Sequence, residues 1–272
     1  MARLPYRDQS DLAPEDQELL ARPAATVVIL RDGGAGIEVF MVVRHHEIDF
    51  ASGALVFPGG KVDPHDADPA WGPLAPYAAP APDRAFVVAA ARETFEEAGL
   101  VLARRRGTLA MLDAAEAHRL VETYRGRETT FLELARNEDL LLATDLMVPF
   151  AHWITPVGQP KRFDTHFLLV AAPVSQLGAH DGEESVEGFW IAPSQALREA
   201  EAGARTLVLP TQMNLLKLAR YRTVAEAVAQ TRASPIVTVT PRIERTATGR
   251  TLHIPAEAGY GVSEVLVPAR KR

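Results

Sequence analysis

The hydrophobic positions fall into two rhythms. Ala25–Leu30 (ATVVIL) and Ile37–Arg44 (IEVFMVVR) are apolar, β-branched runs of the length of buried strands, and the Asp-Gly-Gly-Ala-Gly stretch from Asp32 to Gly36 separates them. Glycine and aspartate tolerate the positive φ of tight turns, so the pair is expected to form a hairpin. A short run from Ala54 to Phe57 follows, and Pro58-Gly59-Gly60 stops it, because proline brings no backbone donor to a ladder. From Arg84 the rhythm changes to a helical one. AFVVAAARETFEEA is expected to be a helix ending at Ala98, with Asp83 at its N-cap and Gly99 where a C-cap glycine belongs.

Between these parts, residues 64–82 hold six prolines and six alanines. Such a segment propagates neither a helix nor a central strand, and it is expected to be a surface excursion. Residues 108–145, rich in Leu, Ala, Glu and Arg, predict two helices. Strand-like runs follow at His152–Pro156, Thr165–Ala171 and Val186–Ile191, then helical stretches at 194–202 and 211–232. Ile236–Thr240 and Thr251–Ile254 read as a further hairpin. The order of elements points to an α+β fold with a mixed sheet flanked by helices. It divides into an arm over residues 1–22, a main domain over 23–235 and a C-terminal β-hairpin extension over 236–272.

Composition narrows the function. The 272 residues contain no cysteine, which excludes disulfides, a thiolate nucleophile and a Cys-ligated zinc. A net charge of −6 argues against a nucleic-acid binder, whose surface would carry a basic surplus. No apolar run reaches the roughly 18–20 residues of a membrane span. The start has no basic-then-apolar leader pattern, so a cytoplasmic protein without membrane attachment is expected. The oligomeric state is open, with a homodimer as one expectation.

Chemistry concentrates in Arg92-Glu93-Thr94-Phe95-Glu96-Glu97-Ala98-Gly99-Leu100. At ~100° per residue, Glu93, Glu96 and Glu97 share one helix face, opposite Val88, Ala91, Phe95 and Ala98. Three clustered carboxylates repel one another. A hard divalent cation such as Mg²⁺ removes the conflict, since it takes oxygen ligands and bridges to phosphates. Arg92, four residues before Glu96, can brace it by a charge-assisted hydrogen bond. The same pattern also fits a solvated acidic face. His45, His46, His65 and His166 match no common zinc spacing and are read as satisfied or exposed side chains. Phe163 and Phe167 are read as core, and Trp71 as an anchor for its loop.

The segment resembles the signature of the Nudix hydrolases, a glycine, five residues, a glutamate, seven residues, then R-E-U-x-E-E-x-G-U with U a bulky aliphatic. Gly60 matches its start, and Arg92, Glu93, Glu96, Glu97, Gly99 and Leu100 match its end. The lead-in LVFPGGKVD is similar to the loop that opens such a box. Two features depart from it. Eighteen extra residues separate the halves, about the length of the Pro/Ala-rich stretch. The isolated glutamate falls on Asp66 when counted forward from Gly60 and on Arg84 when counted back from Arg92. An interrupted box, together with GALVFPGGKVDP and WITPVGQPKRFDTHF (Trp153 to Phe167), resembles the subgroup similar to mammalian coenzyme A diphosphatases, although Asp49 stands where a coenzyme A motif has arginine.

The resemblance implies a Nudix-type mixed β-sheet between helices, with a helical insertion and a C-terminal extension. It implies metal-dependent hydrolysis of a diphosphate linkage in a small-molecule nucleoside diphosphate derivative, with coenzyme A or an acyl derivative among the candidates. The metal would be Mg²⁺ or Mn²⁺, held by Glu93, Glu96 and Glu97 and by the Gly59 carbonyl, with Arg92 orienting the carboxylates. A distal carboxylate, as ligand or general base, is expected in Asp181–Glu187, at Glu184 first, with Glu187 in reserve and Glu183 beside them. Arg44, Gly60, Lys161 and Arg162 are expected to hold the diphosphate. A non-catalytic nucleotide-sensing module on the same fold is the alternative, and binding without turnover distinguishes it.

Overall fold

The structure is a computed structural model, described here for residues 20–43, 53–77, 82–159, 161–173, 176, 188–246 and 249–268. Its centre is a nine-stranded mixed sheet. Strands β1 (Arg22–Gly33) and β2 (Gly36–Val43) form the expected hairpin around Gly34 and Ala35, with Gly33 opposite Gly36. The N-terminal half of β1 leaves β2 and pairs instead with β4 (Gly59–Lys61), while the end of β2 pairs with β3 (Ala54–Val56). The hairpin therefore splays apart, and Pro58-Gly59-Gly60 enters beside β1. On the other side β1 runs parallel to β8 (Phe163–Ala171), which pairs antiparallel with β7 (Val148–Ile154). Strand β9 (Gly188–Ile191) adds to β2, and β5 (Ala103–Arg105) with β6 (Leu140–Leu142) forms a separate antiparallel pair.

Both faces of this sheet are covered, which explains why β1 reads as a continuous apolar run rather than an alternating one. Val27 and Ile29 face one core with helix α1 (Arg84–Ala98), and Val28 and Leu30 face the other. Helices α2 (Ala114–Tyr124) and α3 (Phe131–Asn137) lie over the α1 side and correspond to the two helices expected at 108–145. Helices α4 (Pro193–Glu201), α5 (Leu209–Leu218) and α6 (Val224–Ala233) cover the other face. The helix expected over 211–232 is thus two. Thr223 accepts from the Glu226 backbone and starts a fresh helix, and Asp32 in the first hairpin accepts from Val224 N at 2.8 Å.

Two expectations are corrected. The Pro/Ala-rich segment is not confined to the surface, since Trp71, Leu74 and Ala75 are buried in the α1-side core. Proline excludes regular helix and central strand, but it suits the short 3₁₀ turns at Pro64–Ala67 and Pro69–Trp71, where Asp63 and Asp68 cap the first turn. Trp71 donates to His65 O and packs against Phe131, so the insertion is fastened to the helical one. The C-terminal pairing also differs. Thr238–Val239 joins β7 in the main sheet as β11, after the two-residue β10 (Thr206–Leu207) on β3. The hairpin is β12 (Arg242–Thr246) with β13 (Gly249–His253), and β14 (Glu264–Pro268) makes it a three-stranded sheet. Tyr260, between β13 and β14, is buried, and its hydroxyl lies between Trp153 Nε1 and Asn214 Oδ1.

Among the described residues, no helix is long and apolar enough to cross a membrane.

Candidate functional site

Helix α1 is buried nearly all round through Ala91, and only its last two turns separate into a buried and an open side. Thr94, Phe95 and Ala98 face the core, while Arg92, Glu93, Glu96 and Glu97 face the glycine turn or solvent. Gly99 ends the helix in the left-handed region, φ 63°, as a C-cap glycine does. The carboxylate-bearing turn is therefore fixed at both ends, by core burial and by the cap.

The glycine turn meets this face directly. Gly59 N donates to Glu97 Oε2 at 2.9 Å. A side chain on Gly59, whose φ is +155°, would collide with Ala25 O at 2.4 Å. A Cβ on Gly60 would lie 2.4 Å from Glu93 Oε1. Glycine is needed at both positions so that the backbone can close on β1 and on the two carboxylates.

Arg92 organises the rest. Its Nη1 donates to Glu93 Oε1 at 2.9 Å and to Glu96 Oε2 at 3.0 Å, and its Nη2 donates to Lys61 O at 3.0 Å. Its Nε and Nη2 also grip Asp66, at 3.0 Å to Oδ1 and 2.9 Å to Oδ2. A planar guanidinium suits such a bidentate grip. Of the two positions that counting allowed for the isolated acid, Asp66 is the one that pairs with Arg92. The proline-rich detour accordingly leaves after Asp66 and returns at α1, and the segment from Gly60 to Asp66 keeps its spacing.

The carboxylates here are costly to ionise. Burial pushes the Glu93 carboxyl up to about 7, against the pull of Arg92 and with a further push from Glu97. Burial also raises the Asp66 carboxyl, against its hydrogen bonds to Arg92. Desolvation opposes the charge on Arg92, but the surrounding carboxylates outweigh it and hold the guanidinium protonated. Arg92 thus serves three carboxylates, Asp66, Glu93 and Glu96, and a buried carboxylate that resists ionisation is where a bound dication relieves strain. The donors are all oxygen, the set that a hard cation such as Mg²⁺ takes, so the residues fit that ion.

The other expected positions are scattered. Lys161 and Arg162 immediately precede β8, which lies two strands from β4, and Arg162 Nε donates to Thr155 O across the β7–β8 turn. Arg44, Glu183, Glu184 and Glu187 lie outside the described residues, as do His45 and His46. Gly188 pairs with Val42, which also pairs with Val56, two residues before Pro58. Phe167 is core as expected and Trp71 anchors its loop, while Phe163 is half-buried. Sequence reasoning missed the Asp66 pairing partner as such, and it missed His152, which stacks on His166. The alternation Asp164-x-His166 carried that signal, but only the register of β7 against β8 brings His152 to it.

The family model described as the NUDT19 Nudix domain matches residues 75–218, just over half of the chain. The acyl-coenzyme A diphosphatase NUDT19 of Gallus gallus is 25% identical over 237 residues, covering 70% of this chain and 63% of that protein. Its Homo sapiens counterpart is 26% identical over 235 residues, with the same coverage of 70% and 63%. The chain spans about three fifths of the length of the curated relatives it matches. Among solved structures, the Nudix hydrolase of Alicyclobacillus acidocaldarius superposes with a TM-score of 0.63 at 28% identity, covering 79% of this chain and 98% of that one.

Proposed function

The chain belongs to the family of the NUDT19 Nudix domain, and on that premise we propose that it hydrolyses the diphosphate linkage of a nucleoside diphosphate joined to a further group, using Mg²⁺ or Mn²⁺. The observation that carries this reading is the closure of Glu93 and Glu97 on Gly60 and Gly59 under the grip of Arg92. Coenzyme A and its acyl derivatives are the first substrates to test, because the NUDT19 relatives are named acyl-coenzyme A diphosphatases.

Glu93, Glu96 and Glu97, with the Gly59 carbonyl, would hold the ion. A bound dication supplies positive charge against the phosphoryl oxygens as a water attacks phosphorus. The chain's own groups do the rest. Arg92 keeps Glu93 and Glu96 side by side at no cost in rearrangement, since its contacts are already made. Glu97, whose carboxylate accepts from Gly59 N, would take a proton from the attacking water, and Glu184 is the second candidate for that role. Gly60, Arg44, Lys161 and Arg162 would accommodate the diphosphate. With a net charge of −6 the protein has no global attraction for such an anion, so these local cations and the metal must provide it.

The test is a panel of coenzyme A, an acyl-coenzyme A, ADP-ribose, NADH and diadenosine polyphosphates, incubated with Mg²⁺ and analysed by mass spectrometry. Release of two phosphate-bearing fragments whose masses sum to that of the substrate plus one water, from at least one member, supports the reading. Tight binding of a member without turnover would favour the sensing module instead, and the hydrolase reading would be abandoned.

A further inference from the structure

We propose that His152, Asp164 and His166 form a binding site for a first-row transition-metal dication, separate from the glutamates and of different preference. The register creates it. His152 on β7 lies directly opposite His166 on β8, and Asp164 stands two residues before His166 on the same face of that strand. One donor atom from each residue lies within 4.8 Å of the others. Both imidazoles are buried, at 6% and 9% exposure, whereas the Asp164 side chain is one-third exposed and marks the way in from solvent.

The chemistry of the donors selects the ion. Two imidazoles and one carboxylate suit zinc and its first-row neighbours, while Mg²⁺ prefers the all-oxygen set at Glu93, Glu96 and Glu97. The support around the ligands is also present. Thr238 Oγ1 on β11 lies 2.8 Å from His152 Nδ1, which fixes the ring and leaves Nε2 turned to Asp164 Oδ1 at 2.5 Å. An outer partner on one nitrogen that orients the other toward a metal is a recurrent arrangement. His166 neighbours Ala25 in the sheet, and Leu168 and Val170 further along β8 are apolar core, so the two imidazoles are held in surroundings where burying a polar ring carries a desolvation cost.

The rings set one condition. They are stacked at 3.9 Å with 8° between their planes, so an ion in the plane of one ring lies outside the plane of the other. Joint coordination needs the His166 ring to turn about its Cβ–Cγ bond, edge-on against Phe86, whose ring centre is 4.7 Å away. The location is specific as well. His166 pairs with Ala25, and Ala25 pairs with Gly60. At strand spacings of ~4.8 Å the site lies about 10 Å from the glycine turn along one row of the sheet.

The test uses the full chain freed of metal by chelation, held in excess Mg²⁺, and titrated with Co²⁺ while visible ligand-field absorption and heat of binding are followed. The expected result is one saturable Co²⁺ per chain, displaced by Zn²⁺. H166N and D164N should each weaken it at least tenfold, and E97Q should leave the spectrum unchanged. Circular dichroism establishes that the variants are folded, and D164N, at the more exposed position, decides the matter if H166N is not. Absence of saturable Co²⁺ binding, equal binding in D164N, or loss of the spectrum in E97Q would each overturn the assignment.

Discussion

Asp66 and Arg92 are 26 positions apart, yet they share two hydrogen bonds, Arg92 Nε to Oδ1 at 3.0 Å and Nη2 to Oδ2 at 2.9 Å. The acid is buried at 3% exposure, and the same arginine holds Glu93 and Glu96. The pair thus joins the far side of an inserted segment to the carboxylate face of α1. It keeps the glycine turn and the helix in contact despite the detour between them.

Removal of that acid should therefore weaken both the fold and the site. D66A leaves Arg92 with three of its partners, so the cost is expected near the low end for a broken buried pair, about 3 kcal/mol. Turnover should fall more than substrate affinity does, because Arg92, released from Asp66 on its other edge, holds Glu93 and Glu96 less rigidly. Chemical denaturation and steady-state kinetics measure the two effects. An unchanged midpoint together with unchanged kcat would show that the pair positions nothing.

Gly60 offers a gentler perturbation. In G60A the new methyl group overlaps the Glu93 carboxylate, whose end can swing away, so the chain should still fold. Divalent-cation affinity is expected to drop roughly tenfold or more, the scale seen when a ligand's surroundings are disturbed. Calorimetric titration with Mn²⁺ reads this, and wild-type affinity in G60A would rule out Glu93 as a ligand.

Glu93 also predicts a dependence on pH. Its carboxyl is pushed up to about 7 in the metal-free chain, above the unfolded value of 4.5. Its contribution to stability is fully present below pH ~4.5 and is lost as pH rises toward and through 7. Cation binding requires the ionised form, so Mg²⁺ should bind more tightly, and raise the melting temperature more, at pH 8 than at pH 6. E93Q should flatten that part of the metal-free stability profile between pH 4.5 and 7 and remove much of the pH dependence of Mg²⁺ affinity. A Mg²⁺ affinity that does not vary between pH 6 and 8 would contradict the assignment.

Trp71 tests the insertion as a structural strut. It is almost fully buried, touches Phe131 and donates to His65 O. W71A should cost about 3–5 kcal/mol, as large-to-small changes at buried aromatics do. A loss below about 1 kcal/mol would mean that the proline-rich segment is held elsewhere.

Much of this arrangement is legible in the residues alone. The end of α1 follows from Gly99, and the shared face of Glu93, Glu96 and Glu97 follows from the helical period. The first hairpin follows from its glycines. Other features depend on contacts between distant segments. Proline content rules out regular structure for residues 64–82, but it does not reveal that Trp71 meets Phe131. Counting leaves Asp66 and Arg84 equal, and only the fold brings one of them to Arg92. Thr223 gives a local sign that the stretch over 211–232 breaks, but an apolar period running through it masks the cap. His152 and His166 meet because of a strand register, and shifting that register by one residue would send their side chains to opposite faces.

The central claim is that the glutamates on α1 act through a divalent ion on a diphosphate. The most direct measurement compares wild type with E97Q, using mass spectrometry to quantify the phosphate-bearing fragments released from coenzyme A and the rest of the panel in Mg²⁺. Wild type is expected to release the two phosphate-bearing fragments of the cleaved diphosphate, with no products in the absence of divalent cation and a loss of about 10²–10⁴-fold in E97Q with its melting temperature little changed. Turnover by folded E97Q equal to that of wild type, or full activity in chelator, would contradict it.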